Sequence, residues 1–181
     1  MIKRFSLITA LLFSVYSSLA QFDTSFMKTN IRRCADSLAH GFKTKNWELF
    51  TLYNYPALIG SMGGKNEFRK YMGLMFSQID DSCWKLYKPG KILQVIKTGG
   101  DFQAVIELKS ILEWQGMRIT STSHLIGESW DGGLFWTFFN NDGDRQAALL
   151  IKPDLSGQLI IPQLKELKEP VSAPEKQKQS Q

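Results

Sequence analysis

At Trp84 the hydrophobic period of this chain changes from three or four residues to two. A helical half must therefore precede an antiparallel sheet and pack on it, because each needs an apolar cover. Upstream, Ile31, Ala35, Leu38 and Phe42 repeat at helical steps and predict a helix from about Thr24 to His40, ended by Gly41. Asn46 can cap a second helix that presents Trp47, Phe50 and Tyr53 until Pro56 interrupts it. After the Gly63-Gly64 break, Phe68, Met72, Met75, Phe76 and Ile79 predict a third, from Lys65 to Ile79.

Downstream, Trp84 and Leu86 begin a strand that turns at Pro89-Gly90, and Ile92 to Lys97 makes another before Gly99-Gly100. Phe102, Ala104, Ile106, Leu108, Ser110 and Leu112 then share one face, and Gln103, Glu107, Lys109 and Glu113 the other. Gln115-Gly116 reverses the chain into Met117 to Leu125, with Arg118, Thr120, Thr122 and His124 on the polar side. Leu134 to Phe139 and Ala147 to Ile151 read as further strands, and Leu155 to Ile161 as an added edge. Strands of roughly 10 to 12 residues at about 3.4 Å each are longer than usual and should bend. Helices closing the concave side of a bent sheet would leave a hollow suited to a small apolar ligand.

Lys3 and Arg4 precede the apolar run Phe5 to Val15, and Ser18-Leu19-Ala20 closes it with small residues. This is the pattern of a cleaved secretory signal over residues 1–20, so we expect a periplasmic or secreted product. The run is well short of the roughly 20 apolar residues that cross a bilayer, so no stable membrane insertion is expected after cleavage. Cleavage would lower the 22 basic residues to 20 against 17 acidic ones. So slight and scattered an excess gives no footprint for nucleic acid. We expect one domain over residues 21–162. Residues 163–181 carry almost no bulk after Leu167 and read as a flexible polar tail.

Two sets of residues, Asn46 to Phe50 with Tyr55-Pro56-Ala57-Leu58-Ile59, and Gly63 to Phe68, resemble the helical half of the nuclear transport factor 2-like (cystatin-like, SnoaL-like) superfamily. Glu128-Ser129-Trp130-Asp131-Gly132-Gly133-Leu134-Phe135-Trp136-Thr137-Phe138 is similar to a turn and strand of its exported members. The resemblance implies an α+β cone of three N-terminal helices on a strongly bent antiparallel sheet of five to six strands. It also implies a homodimer through the outer sheet face. Relatives use the cavity for isomerisation, cyclisation, dehydration or binding alone, and fold does not choose among these.

An enzyme of this kind places an aspartate or histidine in the hollow, and no such pair matches residue by residue. His124 is the best ionisable candidate, since imidazole titrates near neutrality. With Glu107 it would make an acid/base dyad if register sets them side by side; otherwise both are surface residues. Tyr55, Tyr71 and Trp136, with Ser121 and Ser123, are candidates for a ligand wall, although core packing explains the rings equally. Cys34 and Cys83 could bridge in an oxidising compartment or remain separate thiols. Two cysteines and the distant His40 and His124 have no metal-ligand spacing. No cofactor is implied. Gly63-Gly64 and Gly132-Gly133 lack the context of a phosphate cradle and read as turns. The function expected is a binding or accessory domain for a small apolar ligand or a protein partner. An isomerase, cyclase or hydrolase, and a structural dimer with a filled interior, are the alternatives.

Overall fold

The computed structural model describes residues 24–171. The expected signal, residues 1–20, and the last ten residues lie outside them. The protein is α+β. Among the described residues, four α-helices precede the sheet: α1 (Thr24–Lys43), α2 (Trp47–Tyr53), α3 (Pro56–Ser61) and α4 (Lys65–Met75). Five antiparallel strands follow, β1 (Trp84–Lys97), β2 (Phe102–Trp114), β3 (Met117–Ser129), β4 (Thr137–Asn141) and β5 (Lys165–Pro170), with α5 (Arg145–Ile151) between the last two. None of the described helices is long and apolar enough to cross a membrane.

Met27, Ile31, Cys34, Ala35, Leu38 and Phe42 form the buried stripe of α1. Gly41 does not end this helix. It lies inside it, where a Cβ would stand 2.7 Å from the backbone nitrogen of Phe50, so glycine lets α2 approach α1 closely. Asn46 caps α2 as expected, accepting from the Leu49 N–H at 2.9 Å. Pro56 starts a helix rather than only interrupting one, since its fixed φ and missing N–H suit the first helical position.

The sheet runs β1-β2-β3-β4, and β5 also pairs with β3. The long hairpin pairs Phe102 with Ser129 at one end and Trp114 with Met117 at the other. Phe102, Ala104, Ile106, Leu108 and Leu125 face the helices, as the alternation predicts. Aromatic rings pack in the space they share with α1, α2 and α4. Phe42 stacks on Tyr87 at 4.2 Å and meets Phe76, Trp84, Phe50 and Trp47 at 4.9 to 6.1 Å.

A second core lies on the outer face. Val105, Ile126 and Phe139 stand in register across three strands and pack with Tyr55, Ala148, Leu155 and Leu159. The expected strand Ala147 to Ile151 is the helix α5. Its Asp144 cap accepts from the Gln146 and Ala147 amides, and a short apolar run cannot by periodicity alone be told from a strand. Leu155 to Ile161 is no strand either. Side chains hold it: Gln94 bonds Gln158 and Ile160, and Arg145 bonds Ser156 and Leu159.

The strand expected from Leu134 begins only at Thr137, because Asp131 holds the Leu134 and Phe135 amides in a turn. The stretch Lys165–Pro170, expected to belong to a flexible tail, is β5. It pairs with Met117–Thr122, the part of β3 beyond β4. All six of its residues are exposed, so backbone pairing rather than side-chain burial orders it.

Candidate functional site

The register sets Glu107 directly opposite His124 on the outer face, yet the two are not hydrogen-bonded. The Glu107 carboxylate accepts from the Lys91 N–H at 3.1 Å and lies 3.7 Å from Lys109. That backbone bond is the main cause of its lowered pKa. His124 is buried and its Nδ1 has no partner. Burial lowers its pKa, against the charges of Glu107 and Asp142, so the neutral imidazole is favoured.

The residues expected to wall a ligand site stand in different surroundings. Trp136 is fully buried, and its indole N–H closes the neighbouring turn on the Gly133 carbonyl at 3.1 Å. Tyr71 is exposed on α4. Ser121 shares a 2.7 Å hydrogen bond with Ser110. Ser123 donates to Asn140 at 2.9 Å. Cys34 and Cys83 are separate free thiols rather than a bridge. Burial raises the pKa of Cys34, which makes it a poor nucleophile.

Tyr55 leads to the main polar assembly. Its ring packs on Phe139, and its phenol meets the carboxylate of Glu128. Burial first, then the charge of Glu128, pushes that phenol's pKa up to about 12. Beside it lies the fully buried Lys152, the residue that ends α5. Its ammonium bonds Glu128, Asp101 at 3.1 Å and Asp154 at 3.0 Å. The Trp130 ring lies 5.4 Å from it, and the Trp130 indole donates to Glu128 at 2.8 Å. Gln103, also fully buried, donates to Asp101 at 3.0 Å and accepts from the Ser156 amide.

Three carboxylates around one ammonium cannot all ionise cheaply. Burial, then the hydrogen bond to Asp101, pushes Glu128 up to about 7, against the pull of Lys152. Burial also opposes the charge of Asp101, but bonds from Glu128, Gln103 and Lys152 keep it ionised. Glu128 is thus the acid of this group whose charge burial most disfavours. Burial likewise disfavours the Lys152 charge, and its bonds to Glu128 and Asp154 more than offset this, so the amine stays cationic. An amine held charged has no electron pair to attack with. The ligand atoms of Asp101, Glu128 and Asp154 lie within 4.8 Å of one another, close enough to share a metal ion, but Lys152 already supplies their positive charge.

This arrangement pins α5 and the following loop to the end of the sheet. It also fixes a pH response. The folded-state pKa of Glu128 lies above the ordinary 4.5, so its contribution to stability is complete below that value and is lost as pH rises toward about 7. His124 acts oppositely, since a lowered folded-state pKa loses stability as pH falls below about 6.5. In urea titrations from pH 4.5 to 8, Glu128→Gln is expected to remove the decline on the alkaline side and leave the rise due to His124. An unchanged profile would show that Glu128 is not the titrating group.

Alternation alone assigns Glu128 and Gln103 to a solvent face. The missed signal is the outward apolar set Val105, Ile126 and Phe139, which demands a cover of its own. No family model, curated protein or solved structure matches the chain.

Proposed function

We propose that the chain is an exported, non-enzymatic accessory domain of the nuclear transport factor 2-like type that binds an acidic protein partner through the outer face of the far half of its sheet. The observation that carries this reading is the order of the side chains there. Lys88, Lys109, Thr122 and Lys165 stand in register across four strands. Beside them run Leu86, Ile111, Thr120 and Leu167, then Glu113, Arg118 and Glu169.

Like charges set side by side on a sheet destabilise it unless something else answers them, and the apolar row offers a centre that a partner can dehydrate. A second copy in two-fold pairing would meet the lysines with a row whose Glu113 is already bonded by Lys85 and Arg118. It would gain little charge. An acidic partner gains more.

From strand and residue spacings the patch measures about 20 Å by 20 Å. That is roughly half the 800 Å² per partner of a standard interface, so the complex should be transient and weakened by salt. The binding reading is preferred to the acid/base alternative because the Glu107 carboxylate accepts from the Lys91 amide rather than from His124.

A photo-crosslinking residue at Leu167, compared with one at the still more exposed Leu74 on α4, tests this in the producing cell. We expect an acidic protein captured from position 167 and not from 74, the capture lost with Ile111→Glu, and a monomer in light scattering at about 100 µM, the weak range for a patch this small. Equal capture from both positions would sink the proposal. A concentration-dependent dimer abolished by Ile111→Glu would assign the face to self-association instead.

A further inference from the structure

On the helical side, away from that sheet face, a cleft of about 320 Å³ lies between α2 and α4. Asn46, Glu48, Leu49, Thr51 and Leu52 line one wall, and Lys65 and Arg69 the other. The two cations are one helical turn apart and project on the same side. Gly64, at φ 96°, caps α4 without a side-chain acceptor, and Glu67 in the first turn answers the helix dipole, so the positive charge of this wall is that of Lys65 and Arg69.

The polar groups of this cleft are unequally satisfied. Asn46 is committed to the Leu49 amide and Thr51 to the Trp47 carbonyl. Arg69 Nε is shut off from solvent yet has no hydrogen-bond partner. The nearest acid, Glu48, reaches another guanidinium nitrogen only at 3.8 Å, with its side chain 82% exposed. So solvated and long a pair contributes little and is readily replaced. Leu52 is half exposed on the same wall, an apolar surface next to the cationic one.

We propose that this cleft binds the carboxylate of a small amphiphile, with the head group on Lys65 and Arg69 and the apolar body along Leu49 and Leu52. Two cations less one carboxylate leave a single positive charge, which matches a monoanion better than a phosphate dianion. The guanidinium fork suits a planar carboxylate, which its terminal nitrogens can meet in place of the long Glu48 pair.

The test is titration of the mature, isotope-labelled protein with sodium octanoate, followed by amide NMR, with 1-octanol and inorganic phosphate in parallel. Octanoate is expected to shift the amides of Leu52 and of residues 65–69, and the two controls to shift them far less. Arg69→Gln should weaken octanoate about tenfold, as for loss of one charge-assisted pair, and Glu48→Gln should tighten it. If Arg69→Gln does not fold, the exposed Lys65→Gln carries the same prediction. Equal response to octanol, a response to phosphate matching that to octanoate, or unchanged affinity in the charge variants would overturn the site.

Discussion

Replacing Lys152 with alanine is expected to destabilise the protein by about 3–5 kcal/mol, because it leaves buried carboxylates without their counter-charge. The ammonium is fully buried and bonded to Glu128, Asp101 and Asp154, so water cannot replace it without opening the outer core. Urea unfolding at pH 7 gives the magnitude. Its pH dependence identifies the cause, since the deficit should shrink toward pH 4.5, well below the raised pKa of Glu128, where the folded protein holds that carboxyl protonated. Adding Glu128→Gln to Lys152→Met should restore part of the loss, because the second change removes the charge stranded by the first. A Lys152→Ala variant within about 1 kcal/mol of the parent would mean that the cluster is hydrated and does not hold α5.

The second large effect concerns the inner core. Phe42→Ala removes the ring that five other aromatic residues meet and should cost about 3–5 kcal/mol, the transfer term plus the cavity left behind. The space so made would be apolar, and dry cavities of this kind accept benzene-sized compounds. Benzene is therefore expected to raise the melting temperature of the variant and not of the parent. A parent stabilised equally would reveal an interior hollow and return the apolar-ligand reading to first place.

The boundary at Trp84 was legible because helical and strand periods differ, and the helix-facing row from Phe102 to Leu112 was legible because alternation is strict there. Alternation could not show that the outer face is polar by sequence and buried by structure, as at Gln103, His124 and Glu128. Gln103 and Glu128 are bonded by Ser156 and Lys152 at and after the end of α5, a helix whose start is marked in the sequence by its capping residue, Asp144. The tail misled for a related reason. Lys165–Pro170 buries no side chain, its Leu167 included, but β3 outruns β4 and leaves an edge whose backbone groups need partners. The candidate site divides the same way. Register sets His124 opposite Glu107 without a hydrogen bond between them, and the cation that organises the larger cluster lies outside every pattern that residue spacing can show.

Lys152 also follows Glu128 by 24 positions and Asp101 by still more. A chain growing from its N-terminus therefore completes the helical half and the β2–β3 hairpin before the cation exists. The two acids must wait in water, and α5 can seal them only as a late step, after the loop-closure entropy has been met. An interaction formed after the transition state slows unfolding rather than speeding folding. On this account Lys152 sets how long the assembled protein lasts, while the rings around Phe42 set whether it assembles.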